Sequence, residues 1–345
     1  MNTPQDPPGL DETIFRSAGP ATESGPTEPA PTTEPQRRRW YRRGPLWVRI
    51  LAVVLALALV AVGFYVVRAL IATGNVQRED GLVAGYDGRP PAGLGQNFLV
   101  LSRSTTTRTD VVLLVHLNQA RNRIFLVSLP RNLAVSVDGA ETQLQDLSGD
   151  GGAVMSKTVE QVTGARIDHV AKVDLPGFIR LTDSLGGVTV NNPYASTTSS
   201  GLRFDKGEIT VRGATALAFV GDDSPIPNRD SVLAERQRSV LRAVVLKVLR
   251  PEVLANPATF DAVIGELTRS VTVDSGMTSP VIWGLATSIR LGGSADVVAA
   301  QAPIAGTTST STGDTIMLLD QARAAELGSA LRDDTMADYQ ARYPA

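Results

Sequence analysis

The sequence predicts an α/β fold: an α-β-α sandwich around a central mixed sheet, preceded by a disordered tail and one transmembrane helix. Three observations carry that expectation. Runs rich in Val, Leu and Ile at 98–101, 111–117 and 124–129 have the length and composition of buried, adjacent strands. Helix-period segments then alternate with further strand-like runs, the order that places helices against a sheet. Ahead of all this, the chain carries no charge from Ile50 to Val67.

Residues 1–36 are rich in Pro, Thr, Glu and Asp, with few large apolar side chains beyond Leu10, Ile14 and Phe15. Such a segment cannot bury a core and is expected to be a disordered cytoplasmic tail. The basic segment 37–49 follows, with Arg37, Arg38, Arg39, Arg42, Arg43 and Arg49. A helix rises ~1.5 Å per residue and needs about 20 apolar residues to cross a ~30 Å hydrocarbon core, so 50–71 reads as a transmembrane helix. Trp40, Tyr41 and Trp47 fall at interfacial depth, and Arg49 and Arg68 reach outward from its two ends. The arginine excess keeps the N-terminus cytoplasmic. The expectation is a single-pass protein of the cell membrane, with everything beyond the helix extracytoplasmic.

Composition narrows the function classes. With 345 residues, 43% of them hydrophobic, and a net charge of -2, the chain can bury a substantial core and is neither fibrous nor wholly disordered. The near-neutral balance argues against nucleic acid as a partner, and the arginine cluster is explained by membrane topology and anionic lipid. There is no cysteine, so disulfides, thiol nucleophiles and thiolate metal sites are excluded. The two histidines, His116 and His169, sit inside apolar strand-like runs and read as structural.

Residues 72–96 hold many glycines and prolines and read as a linker or edge segment, with the extracytoplasmic domain at 97–335. Val154, Met155, Val159 and Val162 share one helical face that stops at Gly164. IDHVAKVDL at 167–175 reads as a strand. Pro176 opens a helix ended by Gly186 and Gly187 before the strand VTV. A longer helix spans 232–249, with Val240, Val244 and Val248 in one line and Leu241, Val245 and Leu249 beside it. One turn back, those lines reach Arg236 and Gln237, where a guanidinium on a core-facing stripe is costly unless an anion or a carboxylate meets it. Strands at 297–301 and 316–319 and a helix at 320–332 close the domain.

The segments NFLVL, RTDVVLLVHLN, LVSLPRN, KTVEQVTGARIDHVAKVDLPGFIRLTDSLGGVTV, ALAFV and AERQRSVLRAVV occur in this order over roughly 97–248. In this the chain resembles the LytR-CpsA-Psr family of cell-envelope proteins. The resemblance implies a phosphotransferase that moves a glycopolymer from a polyprenyl-pyrophosphate carrier to peptidoglycan. It also implies Mg²⁺ (or another divalent cation) as cofactor and an apolar tunnel for the lipid. Carried over by position, Asp110 becomes the metal ligand, and Arg131 and Arg236 the catalytic arginines that clamp pyrophosphate. Substrate binding falls to Arg131, Asp230, Arg236 and Gln237.

The chain departs from the family pattern at several places. Ser104 and Thr106 stand where an Asp-x-Arg pair is usual, Asn132 where an aspartate is, and Gln143 where a lysine is. Gly221 and Asp223 replace an Arg-x-Arg pair, and Leu233 replaces a further arginine. Arg103, Arg108 and Arg229 lie close by as substitutes. Two readings therefore stand: a transferase, or a catalytically impaired member that binds polyprenyl lipid, glycan or an active paralogue.

Overall fold

The computed structural model describes Ala56, Arg68 and residues 71–344, apart from 104–108, 150, 222–223, 225–228 and 310–314; at a few positions, Asp110 and Asp230 among them, it describes the backbone only. The tail, the basic segment and nearly all of the expected membrane helix lie outside these residues. Among the described residues, no helix is long and apolar enough to cross a membrane.

Seven of the strands form one mixed sheet: β1 (Gln77–Glu79), β2 (Gln96–Arg103), β3 (Thr109–Leu117), β4 (Ile124–Leu129), then β7 (His169–Asp174), β12 (Val271–Asp274) and β13 (Val297–Gln301). Their spatial order is β1-β12-β7-β2-β3-β4-β13. β1 with β12, β2 with β7 and β4 with β13 are parallel; the remaining pairs are antiparallel. Four small hairpins surround it: β5 (Ala134–Val137) with β6 (Ala140–Gln143), β8 (Val188–Asn192) with β11 (Gly207–Val211), β9 (Ser196–Thr197) with β10 (Arg203–Phe204), and β14 (Ile304–Ser309) with β15 (Thr315–Leu319). Residues 72–96 contribute the edge strand β1, and Leu82 and Ala84 just after it are buried.

The helices are α1 (Gly152–Thr163), α2 (Leu175–Ser184), α3 (Gly213–Val220), α4 (Arg229–Val248), α5 (Pro251–Leu254), α6 (Pro257–Ser270), α7 (Ser279–Ser288), α8 (Gln321–Arg332) and α9 (Met336–Arg342). Because strand side chains alternate, each central strand feeds two cores. Leu99, Leu101, Val112, Leu114 and Val127 face α1 and α8, meeting Met155, Val159, Leu327 and Leu331. Phe98, Val100, Leu113, Val115 and Leu126 face the other way, toward Leu241 and Val245 of α4 and Leu285 of α7. The sheet thus has helices on both faces. A third cluster lies outside it, where Val240 and Val244 of α4 meet Leu181, Leu185, Val188 and Phe219.

Gly164 ends α1 in the left-handed region at φ 67°, its N–H donating to Glu160 O at 2.7 Å, as the sequence predicts. Gly328 lets α8 pass close to that end: a Cβ there would lie 1.7 Å from Thr163 O. The stretch 250–296, silent in the sequence reading, supplies β12 and α5–α7.

Candidate active site

A cavity of about 260 Å³ opens at the end of the sheet's central strands, where β2 and β4 finish and β3 begins. Val111, Leu113, Leu129, Leu217, Val220, Leu233 and Leu241 make its walls apolar, while Ser102, Ser128, Arg131, Asn132, Gln237 and Arg238 bring polar groups into it.

Arg131 arrives on a tight turn. Pro130 O accepts from Leu133 N at 3.1 Å, and Arg131 O accepts from Gln145 N at 2.7 Å, which fixes the backbone at both ends of the arginine. Asn132 is buried; its Nδ2 donates to Thr315 O at 2.8 Å and its carbonyl accepts from Met317 N at 2.9 Å. The turn is therefore tied to β15, and Arg131 stays exposed on the cavity rim, its side chain making no hydrogen bond or ion pair to a described residue.

Asp110 lies at an irregularity of the β2–β3 ladder. Ser102 faces Val111 and Arg103 faces Thr109, so the register shift leaves Asp110 as the extra residue. Ser102 Oγ accepts from Val111 N at 3.1 Å, satisfying the amide next to the break. Bulges of this kind are common beside active sites because they re-aim the chain. Asp110 is the direct neighbour of Val111, which lines the cavity. Asp230 lies in the first turn of α4, where the helix dipole favours a carboxylate.

The two residues singled out on α4 separate. Gln237 lines the cavity, its Nε2 donating to Val220 O at 3.3 Å and holding the end of α3. Arg236 does not line it, and the expectation of a clamp at the mouth gives way to a buried role. Its side chain is 0% exposed. Nε donates to Asn192 Oδ1 at 3.0 Å, and Nη2 donates to Tyr194 O and to Ser196 Oγ, both at 2.9 Å. The guanidinium also lies 4.6 Å from the centre of the Phe219 ring. The reason is the stripe on which it falls: Val240 and Val244 belong to the third cluster, away from the sheet. Arg236 ties α4 to the β8–β10 region from inside.

Among the described side chains of α4, the cation that reaches the cavity is Arg238, which sequence reasoning missed. Its Nη1 donates to Ser128 Oγ on β4 at 3.0 Å and to Gln301 Oε1 on β13 at 3.2 Å. Burial pushes its pKa below the usual arginine value, while the Glu235 carboxylate pulls it back up. The guanidinium keeps its charge at neutral pH. The signal was present: Leu241 and Val245 line the sheet-facing stripe, and a step of three back from Leu241, rather than four, gives Arg238.

Both histidines are placed as expected. His116 is fully buried, with Nδ1 2.8 Å from Asn97 Oδ1 and Nε2 3.0 Å from Asp334 Oδ1, and burial pushes its pKa down. His169 Nδ1 lies 3.2 Å from Asp274 Oδ2, and its ring stacks on Phe98. Neither borders the cavity.

The profile of the LytR_cpsA_psr family matches residues 76–333. The chain belongs to this family. The curated relatives include the cell wall biosynthesis protein LcpA of Corynebacterium glutamicum, 36% identical over 39% of this chain and 26% of its own length. Two are named polyisoprenyl-teichoic acid–peptidoglycan teichoic acid transferase TagU. The Halalkalibacterium halodurans protein is 28% identical over 61% of this chain and 64% of its own length. The Bacillus subtilis protein is 32% identical over 41% and 46%. The chain thus spans between about a quarter and two thirds of these relatives. Among solved structures, B. subtilis TagV superimposes with a TM-score of 0.59 at 19% identity, covering 70% of this chain and 97% of TagV. A LytR-Csp2A-Psr enzyme from Actinomyces oris gives 0.58 at 20%, covering 76% of this chain and 95% of that one. Those likenesses establish the fold as that of the family.

Proposed function

We propose that this protein is an extracytoplasmic, membrane-anchored glycopolymer transferase that takes its substrate from a polyprenyl-pyrophosphate carrier and joins it to peptidoglycan. The observation that carries this reading is the cavity, where Arg131 and Arg238 meet above apolar walls. Below it, Phe98, Val100, Val111 and Val115 are only half-buried on the sheet face, and α7, which covers that face, has no fully buried side chain. A charged mouth over a loosely filled apolar layer suits a diphosphate joined to a prenyl chain.

In the transfer, a peptidoglycan hydroxyl forms a new O–P bond to the glycan-bearing phosphorus. The P–O–P bridge breaks, polyprenyl phosphate leaves, and the hydroxyl proton passes to solvent or a nearby carboxylate. Arg131 and Arg238 stabilise charge on the departing phosphate oxygens. Gln237 supplies neutral donors, and Arg236 acts as a positioning residue that holds α4 in place. Asp230, at the start of α4, belongs to the substrate-binding end of the helix.

Among the described residues no group of three or more His, Asp or Glu side chains converges. Mg²⁺ needs only one or two carboxylates when phosphate oxygens and water fill the other positions, and we assign that role to Asp110, whose backbone precedes Val111 at the cavity. Bound there, the cation would neutralise diphosphate charge.

A second reading has its own observation. Asn132, Gly221 and Leu233, which stand where the family keeps charge, all line the cavity. A member that binds the lipid without turnover accommodates them. The deciding experiment incubates the full-length protein in detergent with a polyprenyl-diphosphate oligosaccharide, peptidoglycan fragments and Mg²⁺, and follows release of polyprenyl phosphate. Release that falls in Arg131→Ala and Asp110→Ala supports transfer; lipid binding without release supports the second reading.

A further inference from the structure

A second concavity, of about 510 Å³, runs along the opposite flank of α4 between β8 and β13. It shares Arg238 with the cavity above. Beyond Arg238 its wall carries Arg242, Lys247 and Arg250, faced by Thr189 and Asn191 from the outward side of β8. Arg238 and Arg242 lie one turn apart, about 6 Å along the axis of α4, Lys247 lies five residues further on and Arg250 just past the helix end, so the cations are spread along the groove rather than gathered at one point.

Their partners make the row unusual. Arg242 donates from Nε to Val297 O at 2.7 Å and from Nη2 to Ser294 O at 2.6 Å, and Lys247 Nζ donates to Gly187 O at 2.5 Å. Arg250 is exposed and makes no side-chain hydrogen bond among the described residues. None of the four cations forms an ion pair with a described carboxylate, although Glu235 borders the groove beside Arg238. Like charges along one helix flank repel each other. Backbone carbonyls nonetheless hold two of them over the groove.

The geometry points to a binding groove for a phosphodiester polyanion: the anionic chain of the transferred glycopolymer, laid along α4 while its diphosphate end occupies the adjoining cavity. A single phosphate would use one or two of these cations, whereas a chain of repeating phosphates engages the row. Thr189 and Asn191 add neutral partners for polyol or sugar hydroxyls. The inference rests on the transfer reading for the identity of the polyanion, and on the groove alone for its charge and shape.

The test measures binding of a synthetic glycerol-phosphate oligomer to the full-length protein in detergent, against a neutral glucan oligomer, inorganic phosphate and phosphatidylglycerol vesicles. The variants are Arg242→Gln/Lys247→Gln/Arg250→Gln and the single exposed change Arg250→Glu, which keeps the test valid if the triple variant folds poorly. The arginines at 37–49 are common to all forms, so differences read the groove. The expected result is oligomer binding that weakens about tenfold in the triple variant, from contacts each worth a factor of about two to three, and weakens measurably in Arg250→Glu. The neutral glucan should bind little, and inorganic phosphate should compete poorly. Oligomer affinity unchanged in both variants would overturn the proposal, as would equal affinity for the glucan. Loss of vesicle binding alone would assign the row to a membrane surface instead. The oligomer has neither diphosphate nor prenyl chain. If it binds through the groove while lipid-linked donor is not turned over, the transfer reading fails and the groove stands.

Discussion

Arg236→Ala is the substitution that most sharply separates a buried tie from a ligand clamp. Among the described residues the guanidinium donates at 2.9–3.0 Å to Asn192, Tyr194 and Ser196, and it lies over Phe219, with no exposed surface. Hydrogen bonds to a charged group are worth about 1.5–3 kcal/mol each, but they share one cation and do not add. Removing one partner from a buried charged network costs about 3–5 kcal/mol, because the acceptors stay behind without water. For a domain of this size 1 kcal/mol moves Tm by about 2–4 °C, so the variant should melt at least about 6 °C below wild type. Thermal and urea unfolding of the full-length protein, followed by circular dichroism, reads this directly. An exposed clamp would instead cost about 0–1 kcal/mol. A wild-type midpoint in Arg236→Ala combined with lost turnover would refute the buried-tie argument.

Arg131→Ala should show the converse pattern, with release of polyprenyl phosphate falling about 10²- to 10³-fold while stability changes by no more than about 0.5 kcal/mol. Gly328→Ala should destabilise by about 3 kcal/mol or more in chemical denaturation, since its Cβ would press on the backbone oxygen of Thr163. Burial raises the Asp274 pKa, but donors from His169, Val170 N and Gly276 N outweigh it and hold the carboxyl below its usual value. The folded pKa is thus depressed, so its stabilisation is present above about pH 4 and is lost as pH falls through the folded value. Acid titration of wild type against Asp274→Asn should show the stability gap closing over that range.

Much of the fold was legible because its inner strands carry apolar runs: Val, Leu and Ile are six of the nine residues of β3 and four of the six of β4. Glycines that permit a left-handed backbone, such as Gly164, marked helix ends for the same local reason. One edge of the sheet, β1 and its neighbour β12, was not legible, whereas the other edge, β13, was. β1 is QRE and β12 is VTVD, short segments whose strand character comes from the neighbours they pair with. α7 is apolar without a fully buried side, so its sequence says little about which face meets the sheet.

For the site, periodicity placed α4 but did not say which of its two apolar lines meets the sheet, and that choice distinguishes Arg236 in the outer cluster from Arg238 over the sheet. The turn at Arg131 could be located in the chain, whereas its attachment to Thr315 and Met317 joins stretches too far apart for any local pattern to reveal.

That attachment sets an order of events in folding. β2, β3 and β4 are neighbours in sequence and can pair early, at low loop-closure cost. The turn that presents Arg131 is held locally by Leu133 N and Gln145 N, but gains its tie to Thr315 and Met317 only when β15 arrives, some 180 residues later. A partly made chain can therefore hold its central sheet while the cavity rim is still loose, and binding competence comes with nearly the last strand. Truncation ahead of Thr315 should leave a folded sheet core whose arginine turn lacks its clasp.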